Sequence, residues 1–114
     1  MIKLVSMLKR KPGMTPEEFH RHWREVHGPL IRRTKSGSYV VRYEQNHRPL
    51  SDYGNPIVSD YDGVTVQWYR SMEEFQASIA EPDFAEIQAD VERFIDMSAM
   101  VWLLTEEEEV VIDG

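Results

Sequence analysis

Within this 114-residue chain, the stretch from Leu8 to Leu30, LKRKPGMTPEEFHRHWREVHGPL, leaves the backbone the fewest choices. Thr15 is a good N-cap, Pro16 suits the first helical position, and Glu18 stands three residues after Thr15. That spacing predicts a capping box, in which two otherwise orphaned backbone donors are satisfied reciprocally. Glu17 and Glu18 also sit at the positive end of the helix dipole. At about 100° per residue, Phe19, Trp23, Val26 and Leu30 share one apolar stripe, and Arg21, Arg24 and Glu25 point away from it. His20 and His27 flank the stripe on one side and His22 on the other. Gly28 is a poor helix former and Pro29 has no N–H to donate, so the helix is expected to stop or kink near His27. Pro29 would then open a fresh turn through Arg33. His27 would lie at a helix C-terminus, where the partial negative charge favours imidazolium.

The remaining elements alternate around this helix. Ile2 to Lys9 reads as a strand with Ile2, Leu4, Ser6 and Leu8 on one face and Val5 and Met7 on the other. A second strand runs from Tyr39 to His47, placing Tyr39, Val41, Tyr43, Gln45 and His47 together. A loop of about a dozen residues, Arg48 to Asp60, carries Tyr53 and reads either as a lid over a pocket mouth or as a surface excursion. Val64 to Arg70 is a third strand, with Val64, Val66 and Trp68 on one face and Thr65, Gln67 and Tyr69 on the other. Ser71 and Glu74 cap a helix to about Ala80, and Pro82 interrupts it. A further helix from about Asp83 has Phe84, Ile87, Val91 and Phe94 or Ile95 at core spacing. Ala99 to Leu104 is a fourth strand. Glu106 to Glu109 is a solvated acidic run, and Val110 to Ile112 reads as an extra edge strand or dimer arm.

The order is β-α-β-β-α-β, the α+β, ferredoxin-like pattern of a four-stranded antiparallel sheet with its helices on one face. Residues 1–114 are expected to form one domain. The strands are apolar on both faces, yet helices cover only one. Two sheets packed face to face would resolve this, giving a homodimer in the form of a dimeric α/β barrel.

Charge and composition narrow the function classes. The net charge is −7, but residues 1–48 hold eleven Lys/Arg against four Asp/Glu, and residues 49–114 hold two against sixteen. The basic helix is expected to lie near acidic surface from the second half, in this chain or a partner. That balance argues against a nucleic-acid partner. No apolar run approaches the roughly 20 residues that span a bilayer, so no membrane association is expected. The absence of cysteine removes thiolate chemistry and fits a cytoplasmic, reducing setting.

No metal is expected either. His20 and His22 project about 160° apart, and His20 and His27 lie roughly 10 Å apart along the axis. No Gly-rich phosphate loop, nucleophile elbow or nicotinamide fingerprint is present, so no cofactor is expected.

Several matches combine into a resemblance. The stretch from Leu8 to Leu30 is similar to the opening of EthD-domain proteins in the dimeric α/β-barrel superfamily. Tyr43 with Gln45-Asn46-His47, Asp62-Gly63-Val64, Ser71 with Phe75, and Glu92 with Phe94-Ile95-Asp96 agree with it. The resemblance spans nearly the whole chain and carries over Trp23, His27 and His47. It implies a homodimer with a pocket between sheet and helices. It also implies cofactor-independent chemistry on a small aromatic or polyketide-like molecule, of oxidoreductase, monooxygenase, cyclase, dehydratase or decarboxylase type.

The candidate catalytic residues are therefore His27, His47 and Tyr43, with Phe19, Trp23, Tyr39 and Gln45 as candidate substrate contacts. Each has a structural alternative. His27 also reads as a helix-terminal histidine bonded to local carbonyls, His47 as an exposed strand-end residue, Tyr43 as a packed sheet ring and Trp23 as plain core. In the catalytic reading a neutral His27 or His47 takes a phenolic or α-carbonyl proton and Tyr43 bonds the developing oxyanion. The alternatives are a non-catalytic small-molecule binder or accessory protein, and a structural dimer without a ligand.

Overall fold

The computed structural model describes residues 1–56 and 59–114; the expected 48–60 loop therefore includes two residues, Ile57 and Val58, outside the described part. Four antiparallel strands, β1 (Ile2–Leu8), β2 (Val40–His47), β3 (Gly63–Tyr69) and β4 (Val101–Thr105), lie in the order β2-β3-β1-β4. The expected β-α-β-β-α-β order holds, with β1 and β3 in the centre. Thr15 makes both halves of its capping box with Glu18 and starts α1 (Pro16–His22). Ser71 caps α3 (Met72–Ala80) through Glu74, and α4 (Phe84–Phe94) follows after the break at Pro82.

Alternation along the strands decides what the sheet buries. The side chains of Ile2, Ser6, Leu8, Thr65 and Tyr69 face the helices and are buried. Two apolar clusters fill that layer. Leu8, Phe19, Trp23, Phe94 and Ile95 form one, beneath α1 and α4, and Ile2, Tyr69 and Phe75 form the other, beneath α3. On the opposite face Val5, Met7, Val64, Val66, Trp68, Val101 and Leu103 have no covering helix or strand among the described residues, and Leu103 is 61% exposed.

Three sequence expectations change. The first helix does not stop at His27; the irregularity expected there is a π-helical turn, and the turn expected from Pro29 through Arg33 is present. The helix passes through this π-helical turn, Trp23–His27, in which Gly28 N–H bonds to Trp23 O, and continues as α2 (Gly28–Arg33) with Pro29 in its first turn. The wider turn accommodates the donor that Pro29 lacks, and it swings Val26 out of the predicted stripe to 44% exposure. Tyr39 ends a 3-10 turn (Ser36–Tyr39) instead of opening β2, and a bulge between Val40 and Arg42 shifts the register there. The bulge breaks the period of two, so Val40 and not Val41 shares the face of Tyr43, while Tyr39 packs against the Ile2–Tyr69–Phe75 cluster. Finally, Val110 to Ile112 is exposed and forms no strand.

The basic first half meets the acidic second half outside the first helix, whose Arg21, Arg24, Arg32 and Arg33 enter none of the ion pairs that follow. Lys3–Glu108, Lys9–Asp60, Arg10–Asp62 and Lys35–Glu81 each join the basic first half to the acidic second half. No helix among the described residues is long and apolar enough to cross a membrane.

Candidate active site

The π-turn creates the central feature of the site. On a regular α-helix His22 and His27, five residues apart, would project about 140° from each other. A turn bonded i to i+5 brings such positions to one side, and both imidazoles reach the same carboxylate of Asp90 on α4. His27 Nδ1 donates to Asp90 Oδ2 at 2.8 Å, and His22 Nε2 donates to Oδ1 at 2.9 Å. Asp90 is 1% exposed. The Phe94 ring packs against both imidazoles, at 4.6 Å from His22 and 5.0 Å from His27 between centroids.

Burial lowers the pKa of His27, while the Asp90 hydrogen bond and charge oppose the shift. Burial pushes Asp90 upward, but the bonds from His27 and His22 outweigh it and hold the carboxyl below its usual value. Both directions favour a neutral imidazole beside an ionised carboxylate near neutral pH. That assigns the Nδ1 proton to the Asp90 bond and leaves Nε2 as the basic nitrogen.

His27 opens onto a cavity of about 470 Å³ between sheet and helices, lined also by Tyr43, Ser6, Thr65, Gln67, Phe75 and Trp102. Tyr43 is held from two sides. Its oxygen accepts from Trp23 Nε1 at 3.2 Å and Gln45 Nε2 at 3.0 Å, so its own O–H remains to donate. Burial raises its pKa, while these two bonds act in the opposite direction.

A second polar chain runs to the end of the sheet. Gln45 Nε2 also donates to Trp23 O at 2.8 Å, which turns its Oε1 towards His47 Nε2, at 2.8 Å. His47 Nδ1 and His20 Nδ1 are 2.6 Å apart, and His20 Nε2 lies 2.9 Å from the Tyr53 hydroxyl. Tyr53 donates to Asp62 Oδ1 at 2.5 Å, and Arg10 holds the same carboxylate. Both ends of the chain are acceptors. Its four contacts need four protons, whereas neutral His20, His47 and Tyr53 bring three. A fourth proton would make an imidazolium, which burial opposes. Burial, Arg24 and His20 push His47 down to about 4, and His20 is also lowered, chiefly by burial.

The predicted residues therefore fall into three places. His27 and Tyr43 line the cavity. His47 and Gln45 line a separate, more open cleft of about 560 Å³ that Arg48, Asp52 and Tyr61 also border. Phe19 and Trp23 are fully buried core. Tyr39 donates to Glu81 Oε1 at 2.9 Å. These last three residues line neither space. The described part of the 48–60 loop borders the cleft through Asp52 and Ser59. Asp90, His20 and Ser6 were not among the expected site residues. Asp90 had a signal, since it is a carboxylate between Ile87 and Phe94 on the apolar stripe of α4. No cluster of three or more potential metal ligands occurs among the described residues.

Comparison with known proteins identifies the family. The EthD domain pattern matches residues 11–98. The conidial pigment biosynthesis dehydratase EthD of Metarhizium robertsii is 30% identical, over 92% of this chain and 81% of that protein. An EthD family protein from Bacillus halodurans superposes with a TM-score of 0.72 at 18% identity, covering 95% of this chain and 99% of the other. SnoaB, a cofactor-independent oxygenase from Streptomyces nogalater, superposes at 0.66 with 12% identity, covering 98% and 97%. The two superpositions carry the fold, and the pattern match together with the fungal relative carries the lineage: this chain belongs to the EthD domain family.

Proposed function

We propose that this protein is a cofactor-independent acid–base enzyme, working as a homodimer, that acts on a small aromatic or polyketide-like molecule held between helices and sheet. The observation that carries the reading is the buried His27–Asp90 pair opening on the cavity. Neutral His27 takes a proton from an acidic C–H or phenol, and Asp90 stabilises the imidazolium that forms. Tyr43 donates its hydrogen bond to the oxyanion that develops on the neighbouring carbonyl. In a β-hydroxyketone the electron pair then expels the hydroxyl, to which the imidazolium returns the proton, so water leaves and a C=C bond remains. The dehydratase name of the fungal relative supports this branch. The oxygen-adding, oxidoreductase branch rests on fold likeness to SnoaB alone.

The test isolates the shared first step. Exchange of the acidic C1 protons of 2-tetralone in D2O, followed by NMR, reports proton abstraction whatever happens later. The wild type is expected to accelerate exchange and His27→Asn to lose roughly 10²–10⁴-fold of that acceleration. Exchange that is equally fast in the variant overturns the role of His27. A wild type that binds 2-tetralone without exchanging it is a binder.

A further inference from the structure

The face of the sheet beneath the helices carries the buried apolar core, yet Ser6 and Thr65 stand there side by side. They are register partners on β1 and β3, 4% and 5% exposed, and both line the cavity. Their hydroxyls make no hydrogen bond to any described residue. Buried Ser36 and Ser78 show the usual arrangement, each donating to the other's backbone carbonyl at 2.7 Å. Every fully sealed side-chain polar atom among the described residues has a partner, so the two unpaired hydroxyls open on the cavity. Hydroxyls that face a cavity without a protein partner are free to bond an oxygen of a ligand held there.

Their position relative to Tyr43 sets the geometry. Tyr43 pairs across the sheet with Gln67, and Thr65 lies two residues along β3 from Gln67 on the same face, about 6.7 Å away at the backbone. Gln67 uses its Oε1 to accept from Tyr69 at 2.9 Å, leaving its amide N–H groups on the cavity floor. The Tyr43 hydroxyl lies 3.0 Å from the amide of Gln45, and Gln45 is the register partner of Thr65, so the two polar stations border one cavity.

We propose that Ser6 and Thr65 form a second oxygen-binding subsite. The ligand would then be a planar ring system with a hydroxyl or carbonyl at each end, one oxygen at Tyr43 and the other at Ser6–Thr65. This rests on the cavity being the substrate site, as proposed above. Calorimetry with naphthalene-2,7-diol and 2-naphthol separates the two ideas. The wild type should bind the diol about tenfold more tightly. The Ser6→Ala/Thr65→Val double variant should bind both compounds within about twofold of each other, with 2-naphthol affinity unchanged. Each single variant should lose part of the diol's advantage, which keeps the test valid if the double variant does not fold. Thermal stability should hold or rise, because unpaired hydroxyls are removed. A wild type that binds the two compounds equally, or neither, overturns the subsite, as does a diol preference that survives in the variants. Loss of exchange in His27→Asn with no diol preference in the wild type would retain the acid–base reading and discard this one.

Discussion

At the scale of single residues, His27 and Asp90 set the pH behaviour. Burial lowers the His27 pKa, so the folded protein resists a proton that the unfolded chain accepts near 6.5. The stability this contributes is complete above 6.5 and is lost as pH falls through that value towards the lower folded pKa. The same direction keeps His27 basic at neutral pH and places the acid limb of turnover below 6.5. Removing the Asp90 carboxylate in Asp90→Asn removes the two influences that raise His27, so the limb should move to still lower pH. Rate should fall about 10²-fold or more, since the ring loses the partner that fixes its tautomer. A pH profile of 2-tetralone exchange checks both effects; a limb that stays put or moves up contradicts the pairing. His27 and Tyr43 were legible from the sequence because they flank or lie on regular stripes. Asp90 is obscured in the sequence because core spacing on a helix signals apolar packing, and its partners come from a distant helix.

At the scale of elements, the Thr15–Glu18 capping box, the Ser71 N-cap and the strand periods were readable since each depends on neighbours a few residues apart; at Ser71 only half of a capping box forms. The π-turn was not readable. Periodicity assumes one hydrogen-bond pattern throughout, so it put His22 and His27 on opposite flanks and Val26 in the core. Gly28-Pro29 signalled a break, but the structure spends it on widening a turn rather than ending a helix. The bulge at Val40–Arg42 displaced Tyr39 for a similar reason, by inserting one residue into a regular alternation. Close packing adds a constraint no pattern shows: a Cβ at Gly63 would stand 2.6 Å from Asn46 O and 2.6 Å from the Trp23 ring. Gly63 thus lets the indole lie flat on β3, within bonding reach of Tyr43. Gly63→Ala should cost about 1–3 kcal/mol of stability by overpacking, measured by urea denaturation. An unchanged midpoint would mean that Trp23 shifts freely and is not what fixes Tyr43.

At the scale of the whole molecule, one face of the sheet has no helix over it among the described residues. Val5, Val66, Val101 and Leu103 occupy its middle. The rim differs from the centre. Arg42 and Lys3 lie over the Trp68 ring at 5.4 and 6.0 Å, and Arg42 is paired with Glu44. An apolar centre inside a charged border is the anatomy of a protein interface, and a second copy of the sheet matches it by two-fold symmetry. Val5 and Leu103 are register partners, so a carboxylate at Leu103 would enter the centre of that contact without a cation to meet it. Burying an unpaired charge costs several kcal/mol, enough to raise the dimer dissociation constant by at least about 10²-fold. The wild type is expected to sediment as a dimer at micromolar concentration, and Leu103→Asp as a monomer. Its side chain lies on the face away from the cavity, so the His27–Asp90 pair stays intact within each copy. Residual 2-tetralone exchange by that monomer would show that one subunit holds the chemistry, with the second copy serving to keep the sheet dry. A variant that remains dimeric would mean that the two chains meet through some other surface.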